Sequence, residues 1–196
     1  MTYNSQLMTR KLIIGITGAS GAILGIRLLE VLREVKNIET HLIISKAAQI
    51  TIAHETDYKI SDVQKLADVN HKFEDISAAC ASGSFRAEGM IIAPCSIRTM
   101  SEIASGVTSS LMSRSADVML KEKKKLVLMV RETPLHALHL ENMAKLSGAG
   151  AFIMPPVVAL YSKPKTIDDM VNHIIGRALD VFDIDVGIVK RWDGVK

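Results

Sequence analysis

Five short apolar runs, at residues 11–17, 39–44, 90–94, 125–130 and 151–154, punctuate the chain. Each is too brief to fold as a helix, and most are rich in β-branched residues, so each predicts a buried strand. Between and after them the apolar positions fall at helical spacing, over 23–32, 47–54, 111–121, 138–146 and 167–182. A further helix starts after Ser96, whose hydroxyl suits an N-cap, and turns Met100, Ile103 and Ala104 inward. Pro94 stops the third strand. Strands alternating with helices predict a mostly parallel α/β sheet covered on both faces. Residues 1–10 read as a loose arm and 185–196 as a tail, around a single domain spanning 1–196.

In such a sheet, ligands bind beyond the carboxyl ends of the strands. That rule gathers Gly18-Ala19-Ser20, Ser45-Lys46, Cys95-Ser96-Ile97-Arg98-Thr99, Arg131-Glu132-Thr133-Pro134 and Pro155-Pro156 at one rim. The first of these lies in GITGASGAILG, a strand, a small-residue turn and a helix start between Gly15 and Gly25. Backbone N–H groups left pointing out of that turn, backed by the helix dipole, suit a phosphate. The glycine spacing is not that of the dinucleotide fingerprint, and no Lys follows as in GxxxxGK[ST]. By itself the loop is a tight turn or a phosphate or flavin site.

Composition narrows the partners. The formal charge of +3 is small and its cations are not gathered in one tract, which argues against nucleic acid. Glycines and the charges at Arg27 and Glu30 interrupt the first apolar stretch, so the reading is neither a signal peptide nor a membrane span, but a cytoplasmic protein. Cys80 and Cys95 are too few for a disulfide framework or a structural zinc site, and Cys95 reads as a buried structural thiol.

Several clusters have a plain and a chemical reading. Arg131-Glu132 after a buried strand is a surface ion pair, or a phosphate clamp beside a carboxylate that moves a proton. Ser96 to Thr99 is an ordinary N-cap or an anion cradle. Arg114 and Lys121, seven residues apart on one helix face, belong to a solvated end or both face an anion. His136 and His139 lack a third ligand at motif spacing and read as structural or subunit-contact residues. Tyr161 and Arg177 carry no local motif.

Taken together, GITGASGAILGIRLL, HLIISKAAQ with HET downstream, ASGSF, GMIIAPCSIRT, RSADVMLKEKKKLVLMVRETPLHALHLENM and MPPVVALYSKP closely resemble the UbiX-like flavin prenyltransferases. VKNIETHLIISK, SDVQKLADV and the terminal KRW are similar to the branch accompanying hydroxyarylic-acid (phenolic-acid) decarboxylases. The resemblance implies a Rossmann-like or flavodoxin-like three-layer sandwich that binds FMN, needs no metal and assembles as a homo-dodecamer. It implies transfer of a dimethylallyl group from dimethylallyl phosphate to reduced FMN, giving the prenylated FMN used by UbiD-type decarboxylases.

Residue by residue, the resemblance places Gly18, Ala19, Ser20, Ser45, Ser96, Ile97, Arg98, Thr99 and Arg131 at FMN. Arg114, Lys121, Tyr161 and Arg177 fall at the prenyl phosphate, and Ser20, Glu55, Glu132 and Lys121 at the chemistry. Departing phosphate needs cations and hydroxyl donors, and ring closure needs a proton acceptor, Glu132 or the released phosphate. Two departures from the family pattern stand out: Ile76 where many members carry Trp, and Ser109-Ser110 where many carry a pair of Asn. They motivate the rival reading, an FMN-binding accessory subunit without turnover of its own.

Overall fold

The structure, a computed structural model, describes residues 9–194. Its strands are β1 (Arg10–Ile16), β2 (Ile38–Ile44), β3 (Val69–His71), β4 (Gly89–Cys95), β5 (Lys125–Val130) and β6 (Phe152–Ile153). Its helices are α1 (Ile23–Arg33), α2 (Lys46–Glu55), α3 (Ile60–Gln64), α4 (Ile97–Ala104), α5 (Leu111–Lys121), α6 (Ala137–Gly148) and α7 (Ile167–Asp180), with single 3-10 turns at Ala79–Ala81, Gly83–Phe85 and Leu160–Ser162. The five expected strands and six expected helices all form; β3 and α3 are additions. Val69-Asn70-His71 has neither an apolar run nor a clean alternation, because it is an edge strand that is only partly covered.

The strands pair in the order β3-β2-β1-β4-β5-β6, every pair parallel. This is the Rossmann order, and the chain reverses direction across the sheet between β1 and β4. Alternate residues of each strand feed two cores. Leu12, Ile14, Ile16, Ile91, Ala93, Val127 and Met129 pack under α1 and α7. Ile13, Ile43, Met90, Ile92, Leu126 and Leu128 pack under α4 and α5. The result is the expected three-layer sandwich.

Most element ends shift by a residue or two, the last helix stopping at Asp180 rather than 182, and two differences have a specific physical cause. Pro94 does not stop β4, which runs on to Cys95; its missing N–H instead shifts the ladder to β5 between Ile92 and Cys95. Arg10 is no part of a loose arm: it opens β1, donates from Nη2 to the Phe182 carbonyl at 2.6 Å and pairs with Glu88 at 3.3 Å. Residues 1–8 of the expected arm, and 195–196 of the expected tail, lie outside the described residues. The rest of the tail has no helix or strand and lies along α7, where Ile188 and Val189 occupy the space a Cβ at Gly176 would need.

Candidate functional site

The parallel sheet delivers the ends of β1, β2, β4 and β5 to one edge, and hydrogen bonds fix them there. Thr17 Oγ1 donates to the Pro94 carbonyl at 2.7 Å and accepts from Ser96 N at 2.8 Å, joining β1 to β4 at the reversal point. Ser45 caps α2 by accepting from Ala48 N at 3.1 Å. Ser96 caps α4 by accepting from Thr99 N at 3.3 Å, with its hydroxyl also on Thr99 Oγ1 at 3.1 Å. Both capped helix starts open onto one cavity of about 500 Å³, lined by Gly18, Ser45, Ser96, Arg98 and Thr99. Gly18 is required there, since a Cβ would run into Ala47 at the start of α2.

Among the other lining residues, Phe73, Glu74 and Glu102 carried no sequence signal. Lys46 and Glu74 form an ion pair of 2.9 Å at this cavity, and Phe73, Glu102, Ser109 and Ser110 complete its wall. The Ser109-Ser110 departure therefore falls inside the pocket, where Ser110 also makes a capping box with Ser113 at the start of α5. The other departure, Ile76, is 61% exposed on the loop after β3.

Two backbone donors of the opening loop are taken by a side chain of the protein itself. Glu55, at the end of α2, accepts from Gly21 N at 2.8 Å and Ala22 N at 3.3 Å, so its carboxylate fills the nest at the start of α1. Burial pushes the Glu55 carboxyl up, but hydrogen bonds from Ser20, Gly21 and Ala22 and the charge of Arg131 outweigh it and hold the group below its ordinary value. Ser20, Glu55 and Arg131 are thus one cluster, built from three separate parts of the chain.

Arg131 leaves β5 with its backbone N–H on the Cys95 carbonyl at 3.1 Å, which holds the β5 exit beside the start of α4. Glu132 turns back to accept from Thr133 N at 2.9 Å, and both side chains are exposed. Arg114 and Lys121 lie seven residues apart on α5, and Arg114 is directed at the 3-10 turn Ala79–Ala81. Arg114 Nε donates to the Ala81 carbonyl at 3.1 Å and Nη1 to Asp117 at 3.0 Å. Lys121 pairs with Glu122 at 2.7 Å, whose carboxylate lies against Gly83.

Tyr161 and Arg177 come together elsewhere. They line a cavity of about 300 Å³ with Val157, His173 and Ile174, and it shares no residue with the Gly18–Ser96 cavity. The Tyr161 hydroxyl lies 3.3 Å from His173 Nε2, and Arg177 Nη1 donates to Asp180 at 2.6 Å. His173, buried on α7, is a member of this cluster that no sequence signal indicated. Ala19 and Ile97 sit on the edges of the first cavity by chain position without lining it.

Cys95 is fully buried and its thiol is pushed up to about 12 by burial, far from a nucleophile. His136 and His139 lie with ring centroids 3.5 Å apart at the start of α6. Among the described residues no three His, Cys, Asp or Glu side chains gather as a metal site would require. No helix among them is long and apolar enough to cross a membrane.

A family model described as Flavoprotein matches residues 1–179. The flavin prenyltransferase UbiX of Escherichia coli (strain K12) is 52% identical over 187 residues, covering 94% of this chain and 99% of that protein. The crystal structure of AnUbiX (PadA1) in complex with FMN and dimethylallyl pyrophosphate matches at a TM-score of 0.93 and 51% identity, covering 95% of this chain and 99% of that one. A dodecameric FMN-dependent UbiX-like decarboxylase from Escherichia coli O157:H7 matches at a TM-score of 0.92 and 50% identity, covering 94% of this chain and 100% of that one. With half its residues shared over nearly its whole length, the chain belongs to the UbiX-like flavin prenyltransferases.

Proposed function

We propose that this chain joins the dimethylallyl group of dimethylallyl phosphate to reduced FMN, and that it does so in the cytoplasm as a single flavoprotein unit. The observation that carries the reading is the pairing of two capped helix starts, those of α2 and α4, on one cavity that Gly18 also lines. A mononucleotide fits such a wall. The N-termini of α2 and α4 offer donors and positive dipole ends to a phosphate, and Ser45, Ser96, Thr99, Ser109 and Ser110 offer hydroxyls to a polyol chain. About 500 Å³ is the size expected of a small-ligand pocket. Gly18, Ala19, Ser20, Ser45, Ser96 to Thr99 and Arg131 hold FMN in this reading, and no metal takes part.

Reduced FMN supplies the electron-rich ring edge that accepts the prenyl carbon as the allylic C–O bond breaks. The chain's own residues do the rest. Arg114, Lys121, Tyr161 and Arg177 hold the leaving phosphate, with cations and a hydroxyl placed where negative charge builds. Ser20 donates to Glu55, which keeps that carboxylate ionised and fixed at the reacting edge. Glu132 accepts the proton lost when the new ring closes.

Because the Tyr161–Arg177 cavity and the FMN cavity are separate in one chain, the reading requires a second copy to bring them together. Its surface suits association: α6 buries only Leu146 among its residues, while Leu138 is 64% exposed and Val157 75%. The homo-dodecamer is the assembly proposed, and a UbiD-type decarboxylase the recipient of the product.

The test is anaerobic incubation with reduced FMN and dimethylallyl phosphate, followed by mass measurement. A flavin product heavier by one five-carbon unit is expected, and its absence sinks the reading. Glu132→Ala separates enzyme from accessory subunit: the variant should bind FMN but no longer support a partner decarboxylase, whereas a mere carrier would.

A further inference from the structure

The C-terminal segment lies across the Tyr161–Arg177 cluster, meeting Tyr161 directly and reaching Arg177 through Asp180. Arg191 takes both oxygens of Asp180, with Nη2 on Oδ1 at 2.9 Å and Nη1 on Oδ2 at 3.2 Å. That same Oδ2 accepts from Arg177 Nη1 at 2.6 Å. Arg191 Nη2 also lies 3.1 Å from Asp185, so one guanidinium ties the end of α7 to the segment that follows it. Next along the chain, Trp192 sets its ring edge-on to Tyr161 with centroids 5.6 Å apart. Lys190 Nζ donates to the Ser162 carbonyl at 3.3 Å, holding the 3-10 turn that carries Tyr161. Ile188 and Val189 seat the segment on α7 at Gly176, one residue before Arg177.

We infer that residues 188–192 form a strap that positions Arg177 and Tyr161 for the prenyl phosphate, with Arg191 as the positioning residue. The inference rests on the assignment of Arg177 and Tyr161 to that phosphate. Asp180, three residues beyond Arg177 on one helix, would by itself pair with it closely and offset its charge. Arg191 draws the same carboxylate into a two-point, charge-assisted contact, so Asp180 anchors Arg177 without being its sole counter-ion. Arg177 spends one N–H on Asp180, and its planar fork keeps further donors for the phosphate oxygens. Trp192 and His173 each meet the Tyr161 ring in a T-shaped contact, and together they restrain where its hydroxyl points. Arg191 and Trp192 do this from outside the cavity, whose wall includes neither.

The test uses the full chain and anaerobic turnover of reduced FMN with dimethylallyl phosphate. Arg191→Ala should raise KM for dimethylallyl phosphate about tenfold while kcat and FMN affinity stay within about twofold of wild type. Arg191→Lys, which keeps the charge but not the two-point fork, should fall between wild type and Arg191→Ala. In an Arg177→Ala background, Arg191→Ala should add less than about twofold, because its effect runs through Arg177. If Arg191→Ala does not fold, Trp192→Leu leaves the ion pairs in place and should raise the same KM about threefold. The inference is overturned if the soluble strap variants keep the wild-type KM, if FMN affinity moves instead, or if Arg191→Ala exerts its full factor without Arg177. A wild-type protein that makes no prenylated flavin overturns the underlying assignment, which is a different outcome from a working enzyme indifferent to Arg191.

Discussion

The two halves of the proposed site are held by different kinds of structure. In the FMN half, Ser45 and Ser96 are pinned by their own backbones as helix caps, and Gly18 is packed against Ala47. Strand pairing alone brings these residues to one cavity. In the prenyl-phosphate half, Arg177 is held by Asp180, Asp180 by Arg191, and Tyr161 by His173 and Trp192. Its geometry depends on long side chains and on a segment without regular structure. The first half is a property of the fold, and the second a property of particular contacts; substitutions should therefore separate them.

The largest expected effect is at Arg177. Arg177→Ala should lower kcat/KM for dimethylallyl phosphate by about 100-fold, since a charge-assisted phosphate contact is lost as charge develops. FMN affinity should not change, and equal losses in both would break the distinction between the halves. Gly18→Val tests the other side: its Cβ meets Ala47, so the loop must move. Flavin fluorescence titration should show FMN binding weakened by about tenfold, with KM for the donor at remaining saturation unchanged.

A smaller effect is expected from Ser96→Ala, which removes the α4 cap. Thermal or urea unfolding should register a loss of about 1 kcal/mol, together with a modest loss of FMN affinity. The smallest concerns acid. The folded-state carboxyl of Glu55 titrates below its ordinary value, so its contribution to stability is present above that value and fades as pH falls through the lower, folded one. Glu55→Gln should therefore lose slightly against wild type near neutrality, and the difference should shrink on acidification. A difference that grows towards low pH would reverse the assignment of its hydrogen bonds.

The same division decides what was legible in the sequence. Ser45, Ser96 and Arg131 could be gathered from strand order alone, because parallel strands put their carboxyl ends on one edge. α5 and β5 have the boundaries expected at 111–121 and 125–130, since each has a strong apolar period and a clear stop. β3 was invisible because an edge strand of Val, Asn and His needs no apolar face. Pro94 misled because a proline can stay in a strand where the ladder slips past it. Glu55 fell outside the helix expected over 47–54 and was placed by resemblance alone, since nothing local shows that α2 returns its carboxylate to Gly21. Tyr161 and Arg177 came from family resemblance alone, for a single 3-10 turn and one exposed helix position leave no periodic trace. His173, Arg191 and Trp192 left none either, because their roles exist only through α7 and the segment folded onto it.

The carboxylate seated on Gly21 and Ala22 also bears on which nucleotides the protein admits. In sheets of this strand order, the start of the first helix is where a dinucleotide lays its pyrophosphate. Here that position already carries a fixed negative charge supplied by the chain itself. A second anion arriving there would meet repulsion and would have to displace two backbone hydrogen bonds. The fold thus keeps the strand order of a dinucleotide binder while the chain's own carboxylate occupies the donors at the start of α1, and the FMN reading proposed above, with its single phosphate, asks nothing of that position.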